Sequence, residues 1–233
     1  MMKFSTFFSY YGSKARLAKL YPRPKYGAIV EPFAGAACYS VLHFENDVFL
    51  NDYDPNIVDT WRYLQRCSPK DILGLPKFHL GMDLRKLDLS REERLFCGWW
   101  ANLGSRRPVN FVSAFAANND GFEEVKRKVA ANLYRIKHFR IHRGRYDGFG
   151  GDRIRRTWFV DPPYQVGGSI YRACGKTMAG PIEFGKLRKF LKTRPGLIIV
   201  CENDSASWMK FNTLAINPSG FSKTVEVLKV LRN

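Results

Sequence analysis

The chain has 233 residues, 45% hydrophobic and 15% aromatic, which is enough to bury a core and too apolar for a disordered basic tail. Its 38 Lys and Arg against 21 Asp and Glu give a formal charge of +17, which points to a polyanionic partner, nucleic acid being the commonest. No run of about eighteen apolar residues and no signal-peptide pattern occurs, and the five scattered cysteines form no CxxC pair and no cluster with the histidines. These features argue against a membrane span, a disulfide framework or a metal site, and a cytoplasmic protein is expected.

Gly27 to Glu31 is a short apolar run stopped by Pro32 and reads as a buried strand, with a helix over Ala36 to Phe44 behind it. Val48 to Leu50 is a second strand, closed by Asn51-Asp52-Tyr53-Asp54-Pro55. Pro55 suits the first turn of a helix carrying Ile57, Val58, Trp61 and Leu64 at helical spacing. Residues 68–119, with Pro69, Pro76, Pro108 and the aromatic knot Phe96, Trp99 and Trp100, read as an inserted, mainly helical subdomain. One amphipathic helix is predicted over Glu123 to Ile136, a buried strand over Thr157 to Val160, and a helix over Ile182 to Leu191. Leu197 to Cys201 reads as a central parallel strand, and the alternating tail from Thr224 to Leu231 as an edge or antiparallel strand. Strands alternating with helices predict an α/β protein with a mostly parallel sheet.

In such a sheet, ligands bind beyond the carboxyl ends of the strands. Three predicted ends carry unusual residues: Glu31-Pro32-Phe33-Ala34-Gly35, Asn51-Asp52 and Asp161-Pro162-Pro163-Tyr164. A turn at Gly35 lets backbone approach a ligand closely, and an acid at the end of the next strand suits ribose hydroxyls. In the third cluster the Asp161 carboxylate and the Pro162 carbonyl offer two neighbouring acceptors, and Tyr164 offers a flat ring. Together they suit an exocyclic amine on a planar heterocycle; alone, each cluster reads equally well as a turn. Gly12-Ser13-Lys14 lacks the spacing of a phosphate-binding P-loop.

These residues resemble the N6-adenine DNA methyltransferases of the Dam type, which use S-adenosylmethionine. The resemblance rests on Tyr10-Tyr11-Gly12-Ser13-Lys14, Glu31-Pro32-Phe33-Ala34-Gly35, Asn51-Asp52-Tyr53-Asp54 and Asp161-Pro162-Pro163-Tyr164, in the family's order. Thr157 to Gln165 is similar to phage-encoded members. The resemblance implies a Rossmann-like class I methyltransferase fold, with a catalytic domain over 1–67 and 120–233 and a small helical target-recognition insert over 68–119. It implies cofactor contacts from Tyr10, Lys14, Glu31, Phe33, Gly35, Asp52 and Asp161, with Asp161, Pro162 and Tyr164 as the catalytic motif. It also implies a monomer acting on double-stranded DNA without a metal, in a bacterial cytosol or a phage-infected host. Three features depart from the family pattern. Ala37 and Cys38 stand where a second glycine is usual; the acid reaching the cofactor's adenine is not obvious, Tyr146 and Asp147 being the candidates; and the chain is short for the family.

Between Lys126 and Arg156 stand eleven Lys and Arg against Asp147 and Asp152 alone. Such a run tracks phosphates or forms a solvated face, and the imbalance favours DNA, with Lys126, Lys128, Arg143 and Arg145 as contacts. Arg106 and Arg107, in the loop Asn102 to Pro108, suit guanine edges, although a structural loop fits equally. Asn118 and Asn119 read as turn residues. Two other functions fit the same motifs: methylation of another amino group, such as cytosine N4 or a glutamine side chain, and an inactive methyltransferase fold that only binds DNA.

Overall fold

The computed structural model describes residues 4, 6–118, 121–148, 153–168, 182–218 and 223–233; Asn119, Asp152 and Cys174 lie outside them. The first strand, β1 (Ala28–Glu31), pairs in parallel with β2 (Asp47–Asp52). Between them α1 spans only Cys38–Leu42. It starts two residues later than its apolar pattern predicts because Ala37 stands at φ 42°, in the left-handed region, where a helix cannot begin.

After β2 comes α2 (Pro55–Arg66), with Pro55 in its first turn and the Asp54 carboxylate accepting from the Asn56 backbone N–H at 2.8 Å. Residues 68–119 contain three short helices: α3 (Pro69–Leu73), α4 (Arg91–Ala101) and α5 (Ala114–Ala117). Ser68 with Asp71 and Ser90 with Glu93 form reciprocal caps on α3 and α4, which is how helices this short start sharply. Then α6 runs over Gly121–Asn132 and tightens into a 3-10 turn at Leu133–Ile136, so the predicted long helix is split.

The remaining elements are β3 (Arg140–Arg143), β4 (Arg156–Val160), α7 (Phe184–Lys192), β5 (Gly196–Asn203), β6 (Asn212–Pro218) and β7 (Lys223–Arg232). They complete a seven-stranded sheet of order β3-β2-β1-β4-β5-β7-β6. The first five strands are parallel, and β7 runs antiparallel to both β5 and β6. The tail strand is therefore antiparallel, as its alternation predicts, but internal, because β6 takes the edge. The architecture is α/β and compatible with a Rossmann-like fold.

The period-2 alternation of each strand divides the core between two faces. Ile29, Leu50, Phe159, Ile199 and Cys201 join one cluster with α1, α2, α4 and α6, whereas Val30, Trp158, Val160, Ile198 and Val200 join a second under α7. Residues 68–119 share the first cluster: Ile72, Phe78, Phe96 and Trp99 are buried in it, and Trp99 Nε1 donates to Thr60 Oγ1 of α2 at 2.8 Å. Trp99 also meets Phe8 and Tyr10 at ring-centroid distances of 5.4 and 5.5 Å, which ties the segment to the N-terminal strip. The thiols of Cys38, Cys67, Cys97 and Cys201 are buried and unlinked. Among the described residues no helix is long and apolar enough to cross a membrane.

Candidate active site

The chain pairs β1 with β2 on one side and β4 on the other, so the connections diverge between β1 and β4. At the carboxyl ends of these two strands lies a cavity of about 580 Å³, a size suited to a nucleoside-like ligand. Its walls come from the strip Tyr10 to Lys14, the turn after β1, Asp52 at the end of β2, the Asp161 to Tyr164 segment after β4, and Glu226 of β7. The four sequence clusters named above thus meet in one place.

The turn after β1 is held from two sides. Asp52 Oδ2 accepts from the Gly35 backbone N–H at 2.9 Å, and Trp61 Nε1 donates to the Gly35 carbonyl at 2.8 Å. Gly35 stands at φ 46°, and a Cβ added there would come within 3.1 Å of the Tyr10 ring, so both conformation and space call for glycine. Asp52 Oδ1 accepts from the Asp54 N–H at 2.9 Å, so backbone donors reach both oxygens of a carboxylate that offers about four acceptor sites. Burial raises the Asp52 carboxyl to about 6 against its bonds to the Gly35, Asp54 and Tyr53 backbone. Phe33 lines the cavity and packs on Tyr146 with centroids 5.3 Å apart.

Glu31 lines the cavity as predicted, yet its Oε1 accepts from the Ser40 N–H at 2.8 Å, which fixes α1 against β1. Burial pushes its carboxyl up to about 8, so it is mostly protonated at neutral pH.

The densest chemistry surrounds Lys14, which is buried. Its ammonium lies 2.8 Å from Asp161 Oδ2, 3.1 Å from the Gly12 carbonyl and 4.0 Å from Glu226 Oε1, and 5.0 Å above the Tyr164 ring centroid. Burial alone would lower the Lys14 pKa, but Asp161, Tyr164 and Glu226 together outweigh it and raise it, so the cation persists. Burial pushes the Asp161 carboxyl up, and the Lys14 ammonium opposes that. The other Asp161 oxygen, Oδ1, is buried and has no hydrogen-bond partner among the described residues. A buried acceptor left open is costly, and it marks where a ligand donor fits.

Sequence reasoning missed Glu226. Its carboxylate accepts from the Tyr164 hydroxyl at 2.9 Å on both oxygens and from the Tyr21 hydroxyl at 2.6 Å. The signal was a lone acid in an alternating apolar strand, on the same face as Leu228 and Val230, where a solvated residue does not belong.

The expected phosphate contacts separate into engaged and exposed cations. Lys126 is corrected: it is buried, donates to the Leu75 carbonyl at 2.6 Å and lies 2.7 Å from Glu123, so its charge secures α6 to the end of α3 and cannot reach a phosphate. Lys137 likewise donates to the Gln65 and Cys67 carbonyls, both at 2.7 Å. Lys128 is exposed but pairs with Glu124 at 2.5 Å, and Arg145 pairs with Asp147 at 3.1 Å. Arg143 is exposed. Of the two candidates for the cofactor's adenine, Tyr146 is buried behind Phe33 and Asp147 is exposed; neither is among the described lining residues of the cavity.

Arg106 and Arg107 are exposed on a loop bonded to the cavity rim: the Gly104 N–H donates to Ser9 Oγ at 2.8 Å and the Tyr11 N–H to the Ser105 carbonyl at 3.1 Å. The Arg106 guanidinium lies 4.9 Å over the Tyr11 ring. The cavity's described lining carries four carboxyls (Glu31, Asp52, Asp161 and Glu226) around one ammonium, Lys14. No protein-family model matches the chain, and no curated protein matches it.

Proposed function

We propose that the protein is a site-specific DNA adenine methyltransferase that moves a methyl group from S-adenosylmethionine to N6 of a flipped adenine. One observation carries the proposal: Asp161 Oδ1 is a buried acceptor with no partner among the described residues, at the switch point of the sheet, in the segment Asp161-Pro162-Pro163-Tyr164. The strand order, with the reversed β7 between β5 and β6, is compatible with a class I methyltransferase fold.

The residues suit the cofactor. Acceptor capacity left on Asp52 fits ribose hydroxyls, the Gly35 turn admits a ligand against backbone, and with Glu31 protonated three further carboxyls still face one ammonium, which fits a ligand bearing a positive charge. When bound, the cofactor supplies an electrophilic methyl group on a sulfonium.

The adenine amine is a poor nucleophile because its lone pair is delocalised into the ring. Asp161 Oδ1 and the Pro162 carbonyl accept its two hydrogens, which localises electron density on nitrogen and orients it. Lys14, held cationic, opposes the burial that pushes the Asp161 carboxyl up and so favours the ionised form, the stronger acceptor. The Tyr164 ring provides a stacking surface for the base, which must leave the duplex to arrive there. Transfer would form the nitrogen–carbon bond as the methyl's bond to the sulfonium breaks, leaving a neutral thioether. The amine proton would pass to its acceptor Asp161 and on to solvent, so positioning and electrostatics supply the catalysis. Arg106 and Arg107, beside the rim, fit a polyanion at the cavity mouth, with residues 68–119 as the recognition segment.

The test is incubation with unmethylated DNA and labelled S-adenosylmethionine, followed by mass spectrometry of the bases. N6-methyladenine is expected. N4-methylcytosine selects the other amine substrate, and unlabelled DNA with retained cofactor selects the inactive fold or a non-DNA acceptor.

A further inference from the structure

We propose that Glu226 is a positioning residue of this site: it fixes the angle of the Tyr164 ring and keeps the Lys14 ammonium shared between two acids. The inference rests on the methyl-transfer reading and adds a residue to it. Backbone pairing holds Glu226 on both sides, opposite Asn203 of β5 and Ala215 of β6, so its carboxylate is carried by an internal strand rather than a loop. The Tyr164 hydroxyl reaches both carboxylate oxygens at 2.9 Å. That bond anchors the far end of a ring whose near end is fixed by the stiff Pro162-Pro163 backbone, and two anchors define its plane.

Tyr21 closes the clamp. Its hydroxyl donates to Glu226 Oε1 at 2.6 Å while its ring meets Phe159 of β4 edge-on at 5.0 Å, two residues before Asp161. The stacking ring and the amine acceptor are thereby referenced to each other across the sheet. Glu226 also draws on Lys14 from 4.0 Å, against 2.8 Å for Asp161. One ammonium thereby links both acids, so the side chain that anchors the Tyr164 ring is coupled to the amine acceptor. A strand needing only stability would carry an apolar residue here, since Leu228 and Val230 on the same face pack in the core.

The test is a double-mutant cycle on the full chain, with Glu226→Gln, Tyr164→Phe and both together, each assayed with labelled S-adenosylmethionine and unmethylated DNA. Each single change is expected to lower kcat about tenfold, and the pair no more than about tenfold, because both remove the same constraint. For Tyr164→Phe, which leaves every cavity carboxyl in place, equilibrium binding of labelled cofactor and the melting temperature are expected to stay near wild type, which a purely structural role would not allow. Should Glu226→Gln fail to fold, Tyr164→Phe carries the test through the same loss of kcat with cofactor binding intact. Kinetics within about twofold of wild type, independent losses multiplying to about a hundredfold, or the cofactor affinity of Tyr164→Phe falling in step with its kcat would each overturn the proposal. A wild-type chain that transfers no methyl group overturns the parent reading instead, and this inference with it.

Discussion

The cavity and the surface carry opposite charge. The chain as a whole has 38 basic against 21 acidic residues, yet the cavity's described lining sets four carboxyls around a single ammonium. Net charge therefore describes what the exterior attracts and says nothing about what the interior accommodates. The contrast repeats within one residue type. Lys14 and Lys126 are buried and held by carboxylates and carbonyls, whereas Arg106 and Arg107 stand in solvent. Only the second kind can release counterions from a nucleic acid.

Breaking the buried cations should have the larger effect. Lys126→Met leaves the Leu75 carbonyl without its donor and Glu123 without its cation, and should lower the unfolding free energy by about 2–3 kcal/mol in denaturant titration. The salt dependence of DNA binding should not change, since Lys126 touches no phosphate. Inside the cavity, Glu31→Gln keeps the acceptor for Ser40 and removes the group that resists ionisation. Its folded pKa, near 8, lies above the ordinary carboxylate value, so the stability Glu31 contributes is complete below about pH 4.5 and lost as pH rises through 8. The variant should match wild type near pH 4 and exceed it by roughly 1–3 kcal/mol at pH 9, as read from melting curves.

On the surface, Arg106→Ala and Arg107→Ala should each leave stability within about 0.5 kcal/mol. Each should reduce the slope of log affinity for DNA against log salt by about one. Unchanged slopes would remove this loop from the interface and erase the contrast. The smallest effect belongs to Ala37→Gly: relief of the left-handed φ of 42° is largely offset by a more flexible unfolded chain, and the net stabilisation should stay below about 0.5 kcal/mol in melting curves. The sequence departs from the family resemblance at this turn, and the backbone there adopts the conformation a glycine would favour.

Chain punctuation made much of this legible. Pro32, Gly35, Pro55 and the Pro162-Pro163 pair end or start elements by their own backbone chemistry, so the turns that line the cavity could be placed before any tertiary contact was known. The apolar runs of β1, β4 and β5 were equally readable because both their faces are buried. What escaped was decided across the fold. Arg140-Ile141-His142-Arg143 has no apolar run, since β3 is an edge strand with one neighbour, and β6 escaped at the opposite edge. The basic run after Lys126 could not reveal that Lys126 is buried, or that Lys126 and the exposed Lys137 both bond carbonyls of distant segments. Glu226 lies 62 residues from Tyr164 and 205 from Tyr21, a separation that local patterning cannot bridge.

The central claim is that the open acceptor on Asp161 receives the amine that is methylated. The most direct measurement compares wild type with Asp161→Ala for methyl incorporation into unmethylated DNA, with the modified base identified by mass spectrometry. The account predicts N6-methyladenine from the wild type and at least about a hundredfold less from the variant. Near-equal incorporation by the two, or a wild type that leaves DNA unmodified, would contradict it.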